Sequence, residues 1–175
     1  MSPMSPMSPT SPTRWAAADR AASRATADRA TADRAAANLM YVRQLTIEAP
    51  RERVFGAIGT LDGPRHWWTS IVTGSTSPGD ELRFGFAGLD EQIVMRVSER
   101  REPALVAWSC VAHTRGEEWT GTTVRFELAA RGPHVCELDF RHIGLAPDLV
   151  ADGWDHFLAS LAAYAVTGAG TPFGG

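Results

Sequence analysis

Lysine is missing altogether: all 17 basic residues are arginine. That absence excludes Schiff-base chemistry, a lysine-held pyridoxal cofactor and the lysine-dependent phosphate loop. Cysteine is scarce too. The two cysteines, Cys110 and Cys136, fall on expected strands and are not spaced as in CxxC. Two buried free thiols are the expectation, and without an export signal a cytoplasmic location. No uninterrupted apolar run approaches the roughly 20 residues that a membrane span requires. A basic surplus is also lacking. The net charge of -3 argues against nucleic acid as a partner, because phosphate binding needs a basic face.

What is present begins with a biased segment. Met-Ser-Pro stands three times in succession, and an Ala-Arg-Asp pattern follows, with Arg24-Ala-Thr-Ala-Asp28 echoed by Arg29-Ala-Thr-Ala-Asp33. Such a stretch has little apolar surface to offset the entropy of ordering, and after Trp15 it offers no large apolar residue for docking. Residues 1–39 are therefore expected to be a disordered tail or a frayed, solvated helix, with 40–170 as one domain and 171–175 as a flexible end. Met40 stands immediately before the first strand and is a candidate start of translation, which the native N-terminal peptide, read by mass spectrometry, would settle.

From Tyr41 to Glu48 the residues alternate as in a strand, and Ala49-Pro50 breaks it. Arg51 to Ile58 reads as a short helix with Val54, Phe55 and Ile58 inward, closed by Gly59. Asp62-Gly63-Pro64 turns the chain into a second short helix carrying His66, Trp67 and Trp68. Strands then follow at Glu81 to Ala87, Gln92 to Glu99, Leu105 to His113, Thr122 to Ala130 and His134 to Ile143. Turn signals separate them closely enough for an antiparallel meander. A long amphipathic helix ends the domain, from Leu149 to Val166, with Val150, Trp154, Phe157, Leu158, Leu161 and Ala165 in one stripe. Asp152, Asp155 and Ser160 lie off that stripe, Asp148 is the expected N-cap and Gly168 the stop. The fold class is α+β, in the order strand, two short helices, about six strands, long helix.

Strand parity assigns the faces. The inward sets are Leu82, Phe84 and Phe86; Ile93, Met95 and Val97; Val106, Trp108 and Cys110; Val124, Phe126 and Leu128; and Leu138, Phe140 and His142. Arg83, Arg96, Arg125, Glu127 and Arg141 fall on the other, solvated face. The inward set is rich in large rings, which either close the core or line a cavity.

The chain resembles the SRPBCC (START-like, helix-grip) superfamily, and within it the bacterial branch akin to heat-shock protein 90 ATPase activator homologues. The resemblance is carried by Ile47-Glu48-Ala49-Pro50, Arg53 to Ile58, Trp67-Trp68, Gly79-Asp80 and Met95 to Glu99. Pro103 to Trp108, Glu118 to Phe126, Phe140 to Leu145 and Gly153-Trp154 complete it. No single motif is specific, but their order is, over about Tyr41 to Gly168. It implies a curved antiparallel sheet wrapped around the C-terminal helix over an apolar cavity. Lipid and hormone binders, polyketide cyclases and cochaperone-like domains share that fold, so it constrains function loosely.

The ligand-facing candidates are Trp67, Trp68, Phe84, Phe86, Met95, Trp108, Trp119, Phe126, Phe140, His142, Trp154, Phe157 and Leu161. His142 stands out as a titratable group on an apolar strand face. It is either a core histidine bonded to backbone or to a neighbour such as Trp119, or a polar anchor for a ligand, or an acid/base. Adjacent tryptophans on a helix do not both point inward, so one of Trp67 and Trp68 is expected at the cavity mouth. Glu117 and Glu118 read as a solvated loop pair, with Glu118 a candidate for the rim. His113, His134 and His142 with the two cysteines make no short ligand spacing, and parity sets His113 opposite Cys110, so no metal site and no cofactor are expected. No second group joins His142, so no catalytic set is visible. The expected function is binding of a small hydrophobic molecule in the cavity. The alternatives are a cyclase or dehydratase acting on a polyketide-like substrate, and a cochaperone-like module with a protein partner.

Overall fold

The computed structural model describes residues 21–29, 31, 39–115 and 118–174, in two units that divide after Ala37. In the first unit, 21–29 and 31 are helical and exposed, and the Thr26 and Thr31 hydroxyls donate to the carbonyls of Ala22 and Ala27 at 2.9 Å. The rest of the low-complexity tail lies outside the described residues. The second unit holds the sheet. Its elements are β1 Met40–Ile47, α1 Arg51–Gly59, the 3-10 turn η1 Gly63–His66, β2 Ile71–Gly74, β3 Glu81–Gly85 and β4 Gln92–Arg101. They continue with β5 Leu105–His113, β6 Thr123–Gly132, β7 Val135–Ile143, the 3-10 turn η2 Pro147–Leu149, and α2 Ala151–Thr167.

All seven strands form one antiparallel sheet in the order β1-β7-β6-β5-β4-β3-β2. From β2 to β7 each strand pairs with its sequence neighbour, as short turns dictate. The exception is β1. It closes against β7 at one edge, so the chain must cross the whole sheet through α1 and η1 to begin β2 at the other. Ile71–Gly74, too short to stand out in the sequence, is a full strand because Val72 pairs with Phe84 and buries its side chain. The sheet curves around α2, and the α+β class and helix-grip arrangement hold.

Several local expectations change. α2 starts at Ala151, with no side-chain cap, because Asp148 lies within η2 and Val150 takes the N-cap position. Gly59 remains helical and Thr60 follows it as an extended cap. Ser160 is buried although polar, because its Oγ accepts a 2.7 Å bond from the Thr171 amide. That bond holds the last described residues to the domain, as does the Phe173 amide donating to the Trp68 carbonyl at 2.8 Å. Gly168 ends α2 with φ 83°, a left-handed turn suited to glycine.

Trp67 and Trp68 are both buried, contrary to the helical expectation. They follow η1 rather than belong to it, and Trp67 has the non-helical angles φ -134°, ψ -23°. Without a helical turn between them, both rings swing inward. Trp67 Nε1 donates to the Ala57 carbonyl at 2.7 Å, which fastens the turn to α1. Gly63 makes that approach possible, since a Cβ there would stand 2.4 Å from the same carbonyl oxygen.

The outer face is a lattice of ion pairs. Glu81 receives Arg83 and Arg96, Arg125 bridges Glu99 and Glu127 at 2.7 and 2.6 Å, and Arg141 binds Asp139 at 2.7 Å. Arg125 holds the Glu99 carboxyl below its usual range, and Arg141 does the same for Asp139. Such pairs are solvent-screened and contribute little stability singly; their effect is to keep this face wet.

Gly63→Ala is expected to lower unfolding free energy by about 1–3 kcal/mol, the cost of forcing a methyl into packed backbone. Chemical denaturation monitored by tryptophan fluorescence checks this, and an unchanged midpoint would refute the close-approach argument.

Candidate functional site

A chain of buried hydrogen bonds joins helix, sheet and loop. Trp154 Nε1 on α2 donates to His142 Nδ1 at 3.0 Å, and His142 Nε2 lies 2.8 Å from Thr122 Oγ1. The Thr122 hydroxyl lies 2.7 Å from the Trp119 carbonyl, to which it donates. The chain runs in one direction, with the Thr122 hydroxyl accepting from His142 and donating to the Trp119 carbonyl. Because an indole N–H can only donate, Nδ1 accepts, and the neutral ring carries its proton on Nε2. His142 is fully buried, and desolvation lowers its pKa to about 4. It is the hydrogen-bonded core histidine of the first alternative, with partners Thr122 and Trp154, while the Trp119 ring packs edge-on against it at 4.7 Å.

Eight of the sequence candidates interlock below this chain: Trp67, Phe84, Met95, Trp108, Phe126, Phe140, His142 and Leu161. None is more than 1% exposed. Ring centroids lie 5.1 Å apart for Trp108 and Phe126, 5.0 Å for Phe126 and Phe140, and 4.5 Å for Phe140 and Trp154. These rings close the core.

The other five, Trp68, Phe86, Trp119, Trp154 and Phe157, come together around a pocket of about 180 Å³. Its wall is completed by Glu91, Ile93, His113, Leu149, Val150 and Gly153. The pocket thus lies where the first turns of α2 meet the ends of β4 and β5. Leu149 and Gly153 are exposed, so the mouth opens beside the helix start. Trp154 and Trp119 stack with centroids 5.6 Å apart, and the hydrogen-bond chain through His142 fixes both.

His113 faces this pocket, contrary to strand parity. Met95 pairs with Cys110 but Val94 pairs with Ala112, so Val111 is an extra residue, a bulge that reverses the alternation beyond it. His113 then pairs with Ile93 on the inner face. A second bulge, at Ser98, turns Glu99 outward to meet Arg125 and places the Arg100 guanidinium 5.2 Å over the Phe55 ring. Glu91 joins the site with His113: His113 Nε2 lies 2.9 Å from Glu91 Oε1. Bulges leave no mark in a hydrophobicity pattern, and Glu91 follows a polar turn, so neither residue is singled out by sequence. A polar pair at the end of two inner-face strands was the available signal. Glu118 lies on the loop beyond, with Oε2 4.0 Å from His113 Nδ1; Glu117 is outside the described residues.

Cys110 and Cys136 are free and buried, and burial raises both thiol pKa values. Among the described residues no three His, Cys, Asp or Glu side chains come together to hold a metal ion. No described helix is long and apolar enough to cross a membrane.

The depressed His142 pKa has a consequence in acid. The unfolded chain takes up a proton near pH 6.5 and the folded chain only near 4, so stability is full above 6.5 and falls between those values. The loss from this group is on the order of 3 kcal/mol. His142→Asn is expected to be less stable at pH 7 and to lose that part of the slope. Denaturation at pH 7 and pH 4.5 checks it, and an identical slope in both proteins would overturn the assignment.

No family model and no curated protein matches this sequence. Solved structures do. The Aha1 dimer from Colwellia psychrerythraea is 25% identical, with TM-score 0.64 over 75% of this chain and 99% of that one. CalU16 from Micromonospora echinospora is 17% identical, with TM-score 0.59 over 72% of this chain and 65% of that one. A Thermobifida fusca protein is 22% identical, with TM-score 0.59 over 72% and 92%. With its curved sheet, crossing helices and C-terminal helix, the chain has the helix-grip fold of the SRPBCC superfamily.

Proposed function

We propose that this protein binds a small apolar molecule in the pocket between the first turns of α2 and the ends of β4 and β5. The observation that carries this is the wall itself: three tryptophans and two phenylalanines around about 180 Å³ of space that reaches solvent past Leu149 and Gly153. Recessed apolar surface with a few convergent polar groups is what small-molecule sites are made of.

Size narrows the occupant. A dry cavity of about 150 Å³ holds benzene, whereas sites for drug-sized ligands run from about 300 Å³ upward. A single ring with a short substituent fits inside; a fused polyketide skeleton or a long acyl chain would extend out past Leu149 and Gly153. This weighs against the cyclase or dehydratase alternative for polyketide-like substrates. The protein-partner alternative, suggested by likeness to Aha1, gains no support from the outer face, where ion pairs stand in place of an apolar patch.

Gly153 offers a clean test. It lies on α2, lines the pocket, and a Cβ there would meet nothing within 4 Å. Gly153→Leu is expected to raise or keep the thermal midpoint, since it removes a helical glycine, while weakening binding of a monocyclic probe such as ethylbenzene about tenfold or more. Titration calorimetry on both proteins checks it. Undiminished binding in Gly153→Leu, or no binding to the parent protein, would sink the pocket reading.

A further inference from the structure

We infer that the pocket selects a positively charged amine on a single aromatic ring, an arylalkylammonium, rather than a neutral hydrocarbon or a carboxylate. The inference rests on the pocket reading above and assigns its polar end. Three observations converge on it.

The first is hydrogen-bond direction. His113 is nine-tenths buried, with a side-chain exposure of 9%, and lines the pocket. The Glu91 carboxylate accepts, so the neutral imidazole carries its proton on Nε2, 2.9 Å away, and Nδ1 is left as an acceptor. That Nδ1 is buried and has no hydrogen-bond partner. Glu118 Oε2, at 4.0 Å, is another acceptor and is beyond hydrogen-bonding reach. Two acceptors across such a gap are both satisfied by one group that brings two hydrogens. An ammonium does so; a single hydroxyl hydrogen serves only one of them.

Charge is the second. Glu91 in the wall and Glu118 beside it place two carboxylates at this end of the pocket. Among the described residues no arginine lines it, and the chain has no lysine to bring. A carboxylate ligand would meet like charge without a counter-cation. The third is the wall. Trp68, Trp119 and Trp154 with Phe86 and Phe157 supply π surface, which attracts a cation as well as an aromatic ring.

The experiment is calorimetry on the full chain with four probes of matched size: 2-phenylethylamine, 2-phenylethanol, ethylbenzene and phenylacetate. The amine is expected to bind about tenfold or more tightly than ethylbenzene, from cation–π attraction and a charge-assisted bond, with phenylacetate weakest. In Glu91→Gln and in Glu118→Gln the amine is expected to lose several-fold in affinity while ethylbenzene keeps its own, which also reports that the pocket is intact. Equal binding of amine and ethylbenzene, as when water satisfies the two acceptors, overturns the inference and leaves the apolar pocket standing. An amine-to-ethylbenzene ratio unchanged in both variants overturns it too. If none of the four binds, the pocket reading fails and this inference with it.

Discussion

The buried relay from the Trp154 indole through His142 and Thr122 to the Trp119 carbonyl is the constraint on which the pocket depends. It links α2, β7 and the loop that leads into β6 in a low-dielectric core, where an unpaired polar atom is expensive. Because an indole nitrogen can only donate and a carbonyl can only accept, the relay has one polarity. It therefore permits one histidine tautomer. Trp154 and Trp119 belong at its two ends, and their rings are also walls of the pocket. A second tie on the same helix, Tyr41 and Arg43 gripping Asp155, works at the surface. Arg43 holds the Asp155 pKa down to about 2, and burial with the Asp155 bond pushes Tyr41 up to about 12. Sheet edge and helix are thus fastened on both sides of the α2 start.

The fold leaves a choice open that side chains then make. A sheet wrapped around a helix can enclose a large void or none, and likeness of fold does not fix which. Here tryptophan and phenylalanine fill much of the interior under α2 and leave a pocket beside its first turns. The space that remains is small and placed at the rim rather than at the centre. Selectivity in such a site comes from the few polar atoms that reach it, and those come from the strand ends and the loop beside the helix.

Much of the architecture was legible in the sequence because burial has a period. Alternation in Val124, Phe126 and Leu128 and in Leu138, Phe140 and His142 identified two strands and their inner faces, and the stripe from Val150 to Ala165 identified α2. What failed was local. The pattern around Trp67 and Trp68 suits a helix, but a 3-10 turn ends at His66, and the sequence does not distinguish the two. Asp148 has the chemistry of a cap, but Pro147 initiates a 3-10 turn that carries it past the cap position. The site suffered most. Of its aromatic walls, Phe86 follows from strand parity and Trp154 and Phe157 from the helical stripe, whereas Trp68 and Trp119 follow from no period, Glu91 follows a polar turn and His113 depends on a bulge.

That bulge at Val111 says something about how this chemistry could arise or vanish. Substitutions alter one side chain at a time, yet the orientation of everything after Cys110 in β5 is counted in residues. Pairing the same residues without the bulge would exchange inside for outside, sending His113 to the wet face and bringing its neighbour Ala112 to the pocket, whereas deleting Val111 would remove the bulge and leave His113 opposite Ile93. The polar end of the pocket is therefore set by pairing rather than by composition. Among proteins of this fold, an inward histidine at this strand end should follow the presence of the β5 bulge more sharply than it follows overall identity.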